Sequence, residues 1–190
     1  MARMGVEEPL RERLVSAGVD LLEQVGVGEL GLRAIAREAG VSHGAPRRHF
    51  PTHRSLLAAV AARGFADLRG EFATVADDSP RARIERMALV YVRFAAERPE
   101  MFTLMFRHDL LEGSGENLRR QTLPIFHDWR DLVAACVPEP AGQRPVELWA
   151  NLHGIAALVA NRSLELIAPD ADVTELVRAT VARHLDSEHA

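Results

Sequence analysis

A short polar segment about a quarter of the way along the chain carries several side chains that can be cationic. They are His43, Arg47, Arg48 and His49. An arginine guanidinium donates hydrogen bonds from a fixed planar fork, which suits phosphate oxygens. Two small residues in the same segment, Gly44 and Ala45, would let it approach base edges closely. These residue types and their spacing indicate binding of nucleic acid through phosphate and base contacts.

Two short helices around a tight turn would present this segment. Apolar residues recur before it at three- and four-residue spacing, which is typical of a helix with one buried stripe. They are Leu32, Ile35, Ala36 and Ala39. Gly40 suits the left-handed position that ends such a helix. Ser42 is a good N-cap for a second helix, and Pro46 would lie in or just after its first turn. The pattern predicts a helix-turn-helix.

Residues 32–57 resemble the DNA-binding domain of the TetR/AcrR family of transcriptional regulators. The shared framework consists of Ile35-Ala36, Ala39-Gly40-Val41-Ser42, Arg48-His49-Phe50-Pro51 and Leu56-Leu57. Three positions depart from the family pattern, where Gly31 replaces Ser or Thr, Arg47 replaces Tyr and His53 replaces Lys. Arg47 could restore, with a charged group, the phosphate contact of the replaced tyrosine.

The resemblance implies that double-stranded DNA is a partner. It implies phosphate contacts from Arg47, Arg48, His49 and His53, and base contacts from His43, Gly44 and Ala45. The full set of expected DNA-contacting residues is Arg33, Ser42, His43, Gly44, Ala45, Arg47, Arg48, His49, Thr52 and His53.

Composition favours an all-α protein of one or two domains in 190 residues, because aliphatic residues are abundant and aromatic residues make up 5%. The net charge is −4, yet residues 31–63 hold six arginines and one acid, so a basic module sits on an acidic body. One cysteine, Cys136, excludes an internal disulfide. With no apolar stretch of membrane length and no signal peptide in view, the expected location is the cytoplasm.

Enzymatic and metal-binding alternatives find little support in the sequence. His49 and His53 have a spacing seen in metal sites, but Pro51 breaks the helix between them. The pairs His108-Asp109 and His127-Asp128 have no third partner for catalysis. We therefore expect no enzyme, metal or cofactor. The competing hypothesis is a helical enzyme or small-molecule carrier that retains the DNA-binding module as a scaffold.

Helical periodicity organises the rest of the chain into a tail at residues 1–8, a DNA-binding domain at 9–69 and a helical ligand-binding and dimerisation domain at 70–190. Arg3 in the tail could reach DNA, although a frayed terminus is the favoured interpretation. Helices are predicted at 9–25, from 53 behind the cap Thr52, at 80–98 behind the cap Ser79, at 99–106, at 115–137 with an interruption at Pro124, at 146–167, and at 172–184 with Asp172 as the cap. Residues 109–116 are predicted to form a loop.

Aromatic and methionine side chains in the second half could line an adaptable apolar ligand pocket, although ordinary core packing is the alternative for each of them. Residues 98–107 and 148–154 resemble the Trp-His-Gly type of C-terminal domain in the same family, which implies such a pocket. The predicted lining is Tyr91, Phe94, Met101, Phe102, Met105, Phe106, Phe126, Trp129, Trp149 and His153.

The predicted helix at 146–167 is apolar nearly all round, so a single body of this size would not cover it. Small residues would let a second copy approach closely. They are Ala150, Gly154, Ala157 and Asn161. We therefore expect a homodimer on a pseudo-palindromic operator, acting as a repressor that a small, largely apolar ligand releases from DNA, with no membrane involved.

Overall fold

The computed structural model describes residues 9–76, 79–137 and 140–186, and within these ranges it contains helices and no strands. The all-α prediction is confirmed. The predicted tail, with Arg3, lies outside the described residues. The helices are α1 (Leu10–Glu29), α2 (Leu32–Glu38), α3 (Pro46–His49), α4 (His53–Ala73), α5 (Pro80–Glu97), α6 (Pro99–Met105), α7 (His108–Leu111), α8 (Arg119–Ala134), α9 (Arg144–Ala160), α10 (Ser163–Ile167) and α11 (Val173–Leu185).

The first four helices share a small apolar core, which fixes the angle between α2 and α3. Its fully buried members are Leu14, Leu22, Leu30, Ile35, Phe50 and Leu56. The guanidinium of Arg13 on α1 donates to the carbonyl oxygen of Ala39 at 2.7 Å, which holds the end of α2 against α1. Arg11 lies over the ring of Phe50, 5.2 Å from its centroid, and so covers this core from outside.

The first helix is broken at Gly26, where the sequence predicted an end. Gly26 has φ 74° and ψ 164°, a conformation that glycine adopts at little cost because it has no Cβ. The helix then resumes and runs to Glu29, which the sequence analysis did not predict.

Three predicted N-caps are confirmed. The hydroxyl of Thr52 accepts from the Ser55 N–H at 3.0 Å at the start of α4. Ser79 caps α5 in the same way at 3.1 Å, and the Asp172 carboxylate accepts from the Thr174 N–H at 2.8 Å at the start of α11. These local bonds satisfy amides that have no partner within their own helix, so they set where the helices begin.

Other predicted boundaries were wrong. Residues 108–111 form the short helix α7 inside the predicted loop, and α8 continues through Pro124. The predicted helix at 146–167 ends at Ala160, because Arg162 takes a left-handed conformation with φ 58°. The side chain of Asn161 accepts from the Ser163 N–H at 2.9 Å, a local bond that competes with helix continuation.

The long helix α4 joins the helix-turn-helix to the remaining helices. It packs against α1 at its start and against α6 and α8 further along, while α5 packs between α9 and α11. Since α4 runs through residue 70, the predicted domain boundary falls inside a helix, and the division of the chain stays a prediction. Nowhere in the described residues is a helix both long and apolar enough to cross a membrane.

Two glycines set how closely other helices approach α1 and α4. A Cβ placed on Gly18 would lie 2.7 Å from Cγ2 of Val60, a fully buried and stiff side chain on α4. A Cβ on Gly64 would lie 2.5 Å from the sulfur of Met101 on α6. By contrast, a Cβ on the exposed Gly70 would meet nothing within 4 Å. The helices therefore pack most tightly at Gly18 and Gly64.

Gly18→Ala should destabilise the protein, because the buried side chain of Val60 cannot move away without disturbing the core. We expect the free energy of unfolding to fall by about 1–3 kcal/mol, as for other overpacked cores. The matched control, Gly70→Ala, should raise it by up to about 1 kcal/mol, since alanine favours a helix interior. Urea denaturation followed by circular dichroism measures both. Equal stability of the two variants would show that α1 and α4 do not touch at Gly18.

Candidate nucleic-acid interface and apolar cavity

The turn between α2 and α3 has the geometry expected from its glycine. Gly40 has φ 66°, and the Val41 N–H donates to the Ala36 carbonyl at 2.9 Å, which closes the end of α2. This bond spans five residues, as in a Schellman motif. The predicted end of α2 at Gly40 is therefore confirmed.

The second helix of the motif is shorter than predicted. It begins at Pro46 with Ala45 at the N-cap and no side-chain cap, so the predicted capping role of Ser42 was wrong. Proline has no N–H and cannot donate the first helical bond to the Ser42 carbonyl. The Ala45 N–H donates to that carbonyl instead, at 3.0 Å. His43, Gly44 and Ala45 therefore lie in a turn that leads into a one-turn helix.

The predicted DNA-contacting residues lie at the surface. All ten are exposed except Ala45, which is half-buried. Four guanidinium groups on this face have no hydrogen bond or ion pair with the described residues. They belong to Arg33 and Arg37 on α2 and to Arg47 and Arg48 on α3. Arg37 was not among the predicted residues, although its spacing of one helical turn from Arg33 places the two on one face.

Neighbouring arginines of the same module are bound within the protein. Arg63 pairs with Glu12 at 3.0 Å, and Arg54 donates to the Glu112 carbonyl at 3.4 Å. The guanidinium of Arg11 pairs with Glu116 at 2.9 Å. The module thus divides its cations into a set that holds the fold together and a set that faces outward.

Two of the predicted DNA-contacting residues also have structural roles. The Thr52 hydroxyl caps α4, and Nε2 of His53 is hydrogen-bonded to the Leu30 carbonyl, which ties the α1–α2 link to α4. The Nε2 atom of His53 is occupied by this bond and is therefore not free to contact a phosphate.

A cavity of about 260 Å³ lies between α4, α5, α8 and α9, with Phe106 at the end of α6. Its walls are almost entirely apolar, and among the described residues no charged side chain lines it. The lining consists of Phe65, Leu68, Phe72, Met87, Ala88, Tyr91, Phe106, Thr122, Leu123, Ile125, Phe126, Trp129, Trp149 and Leu152. Such a cavity suits a small uncharged apolar molecule.

The predicted pocket residues divide into two groups. Five of them line the cavity, namely Tyr91, Phe106, Phe126, Trp129 and Trp149. The other five do not, namely Phe94, Met101, Phe102, Met105 and His153. Phe94 and Phe102 are buried in the core, and Met101 and Met105 pack on Gly64 of α4. The structure thus places these four side chains in the core, and their predicted part in a ligand pocket stays a prediction.

Three polar side chains in or beside the cavity wall form hydrogen bonds with one another or with the backbone. The Tyr91 hydroxyl is 2.8 Å from Nδ1 of His153, whose ring stacks on Trp149 with centroids 5.2 Å apart. Burial raises the pKa of Tyr91 well above its ordinary value, and the Trp149 side chain opposes this. Burial lowers the pKa of His153. The indole of Trp129 donates to the Pro145 carbonyl at 3.0 Å. Both shifts in pKa favour the neutral form, for Tyr91 in the cavity wall and for His153 behind it.

The sequence analysis missed the part of the cavity wall that α4 supplies. Phe65, Leu68 and Phe72 recur at spacings of three and four residues, so they share one face of α4. That periodicity was visible in the sequence. What it could not show is which of the other helices this face of α4 meets.

The predicted dimer residues lie mostly on an uncovered face of α9. Ala150 and Gly154 are exposed and Ala157 is half-buried, while Asn161 follows the end of the helix. Large apolar side chains nearby are also exposed, with Val146 at 50% and Leu176 on α11 at 36%. Asn151 on the same side of α9 contacts His184 of α11 at 3.0 Å. The α9–α11 surface therefore presents apolar and small residues to solvent.

Comparisons with known proteins match both parts of the chain. A family model described as "Bacterial regulatory proteins, tetR family" matches residues 14–60. A second, described as "Tetracyclin repressor-like, C-terminal domain", matches residues 84–184. The Trp-His-Gly type expected for the C-terminal part stays a prediction.

Similar proteins include the HTH-type transcriptional regulator BetI of Pseudomonas fluorescens, 33% identical over 89 residues that cover 45% of each chain. BetI of Pseudomonas aeruginosa is 34% identical over 88 residues, 44% of this chain and 45% of that one. The chain thus spans about half the length of the curated relatives it matches.

Solved structures resemble the whole chain. A Rhodococcus sp. RHA1 protein described as having unknown function is 30% identical with a TM-score of 0.81, over 97% of this chain and 98% of that one. A TetR-like transcriptional regulator from the same organism has a TM-score of 0.69 at 18% identity, over 97% and 100%, and shows the shared fold. With two family models that together cover most of the described residues, this chain belongs to the TetR family of bacterial regulatory proteins.

Proposed function

We propose that this protein is a DNA-binding transcriptional regulator, a repressor that a small, largely apolar ligand releases from its operator. The observation that carries the proposal is the group of four exposed arginines on α2 and α3 without partners among the described residues. The relatives named as transcriptional regulators support the same function. The proposed site of action is the cytoplasm, where the DNA is.

In this proposal the roles of the interface residues follow from their chemistry. The guanidinium groups of Arg47 and Arg48 bind phosphates, with His49 beside them. His43 and the small residues Gly44 and Ala45 lie in the turn that enters the major groove, where base edges are read. Arg33 and Arg37 add phosphate contacts from α2.

Arg48→Ala should weaken binding to all DNA sequences alike, because a phosphate contact carries no sequence information. The slope of log K against log salt should shrink by about one unit for the contact removed. Fluorescence anisotropy at several salt concentrations measures this, with a duplex selected in vitro from random DNA and with a scrambled duplex. The matched control is Arg69→Ala, which removes an exposed arginine of α4 away from the helix-turn-helix.

The control variant Arg69→Ala should keep the slope of log K against log salt that the parent protein shows. A loss confined to the selected duplex, with an unchanged salt slope, would instead make Arg48 a reader of a base. If the parent protein shows no preference for any selected sequence, the regulator hypothesis fails. Turnover of a small molecule without DNA would then favour the enzyme hypothesis.

The ligand proposal rests on the cavity and on the helix that lines it. Among the described residues the wall carries no charge, and the polar groups of Tyr91 and Trp129 are bonded within the protein, so an uncharged apolar molecule suits this cavity of about 260 Å³ best. Phe65, Leu68 and Phe72 belong to α4, whose first turns also contribute buried residues to the core of the DNA-binding module. A ligand that displaces these side chains would move α4 relative to α2 and α3.

The neutral apolar dye N-phenyl-1-naphthylamine should bind the protein with one molecule per chain and gain fluorescence. Ala88→Phe fills the cavity from α5 and should weaken binding by at least about tenfold. Ala96→Phe, which places the same side chain on an exposed position of α5, should bind as the parent does. Titration of fluorescence measures both, and thermal unfolding checks that each variant is folded. Equal binding by the two variants would place the dye elsewhere.

A homodimer is the proposed active form, since one short helix-turn-helix offers few base contacts. The exposed α9–α11 surface supplies a face that two copies could share isologously. It would set two copies of α3 over a pseudo-palindromic operator.

Ala150→Glu should therefore yield folded monomers that lose sequence-specific DNA binding. Ala150 is a better position than the half-buried Ala157, because it is exposed within one chain and its change need not disturb the core. Ala96→Glu, the same change on an exposed position of α5, should stay dimeric. Analytical ultracentrifugation at micromolar concentration distinguishes the two. A parent protein that sediments as a monomer while it binds its selected duplex specifically would overturn the dimer proposal.

A further inference from the structure

The short helix α6 has its N-terminal amides capped by a side chain from α1. The carboxylate of Glu23 accepts from the Met101 N–H at 2.8 Å and from the Glu100 N–H at 3.2 Å. The first amides of a helix have no partner within it and favour a negative charge. The N-cap residue of α6, Arg98, makes no side-chain cap bond, so α1 supplies the cap that α6 lacks.

A second carboxylate makes the reverse contact. Oε2 of Glu100 on α6 accepts from the Val27 N–H at 3.1 Å, directly after the break in α1. At Gly26 a Cβ would lie 3.3 Å from that same oxygen, so the absence of a side chain lets the carboxylate approach. Each helix therefore satisfies backbone amides of the other. We call this pair of contacts the carboxylate exchange.

The other end of α6 reaches the cavity. Phe106, its C-cap, is part of the cavity lining, and the ring of Phe102 lies 5.0 Å from the Phe106 ring and 5.5 Å from Tyr91. A helix of seven residues is roughly 10 Å long. About two turns of helix thus connect the cavity wall to α1 of the DNA-binding module.

The hydrogen bonds of these two carboxylates depend only on how α1 and α6 are placed relative to each other. Within the part of the chain that the structure describes, neither Glu23 nor Glu100 pairs with a cation, and their bonds go to backbone amides. Such bonds weaken steeply when donor and acceptor move apart or misalign. A small displacement of α6 therefore breaks them or carries α1 with it.

We propose that Glu23 and Glu100 are positioning residues that convey the state of the cavity to the DNA-binding module through α1. The inference rests on the proposed function and adds a route that is separate from the continuous helix α4. Filling the cavity shifts α6, the carboxylate exchange transfers the shift to the segment around Gly26, and the core shared by α1 and α2 changes the angle of α3.

A double-mutant experiment tests this route without an identified effector. Ala88→Phe serves as the permanent occupant of the cavity, and it is combined with Glu23→Ala, with Glu100→Ala, or with the control Glu71→Ala. Glu71 also bridges two helices, since it pairs with Arg93 at 3.0 Å between α4 and α5, but it lies outside the carboxylate exchange.

In the parent and in the control, Ala88→Phe should weaken binding of the selected duplex by at least about fivefold, the usual lower range of allosteric coupling. In the Glu23→Ala and Glu100→Ala backgrounds, where the route through α4 remains, the same substitution should weaken binding by a factor at least about twofold smaller than in the parent. Glu23→Gln and Glu100→Gln keep an acceptor oxygen of the same reach and should restore part of the coupling, which a merely destabilising effect would not produce.

Hydrogen–deuterium exchange without DNA gives a second readout. Ala88→Phe should speed exchange of the α2 and α3 amides in the parent and in Glu71→Ala, and should speed it less in Glu23→Ala and Glu100→Ala. If Ala88→Phe weakens duplex binding and speeds amide exchange equally in all four backgrounds, coupling runs through α4. The inference is then wrong, while the proposed function stands. If the exchange pattern follows the prediction but no duplex is bound specifically, the route exists and the proposed function fails.

Discussion

The buried face of α4 contributes to two parts of the protein, the core beneath the helix-turn-helix and the wall of the cavity. The packing of the other helices depends on this shared face. Its first turns carry Leu56 and Val60 into the core beneath the helix-turn-helix. Its later turns carry Phe65, Leu68 and Phe72 to the cavity wall. A helix of 21 residues is about 30 Å long and is hydrogen-bonded throughout, so it moves as a rod. The core beneath the helix-turn-helix and the cavity wall therefore cannot repack independently. The close approach allowed at Gly18 and Gly64 keeps α1 and α6 packed against the same helix, α4.

The charged side chains of the body and of the helix-turn-helix have different roles. Ion pairs across the body join α4 to α5 and α6, through Arg93 with Glu71 and Arg98 with Asp67, and join α5 to α11 through Arg178 with Glu85. Four arginines without partners among the described residues lie together on α2 and α3. The chain has a net charge of −4, so a basic face on an acidic body gives the molecule an oriented field. Such a field would turn the helix-turn-helix toward a polyanion and repel it elsewhere.

Local signals in the sequence predicted the local structure well, and tertiary arrangements less well. Gly40, Thr52, Ser79 and Asp172 end or begin helices as expected, because capping depends on a few adjacent atoms. The identity of the cavity wall depends on which helices meet, and one-dimensional periodicity does not contain that information. Met101 and Met105 resembled adaptable pocket residues, yet the missing side chain of Gly64 admits them to the core. The carboxylate exchange joins residues 73 to 78 positions apart, so no spacing in the sequence could suggest it.

The proline that shortens α3 has a consequence for the entropy of association. A recognition element of one turn would ordinarily be frayed, because so short a helix gains little from its own hydrogen bonds. Pro46 has its backbone dihedral fixed by its ring and is itself buried, while Phe50 anchors the other end of the turn in the core. The backbone between them has few alternative conformations to give up when it meets a partner. The element is thus ordered in advance, and the cost of ordering it is met during folding and not at the moment of binding.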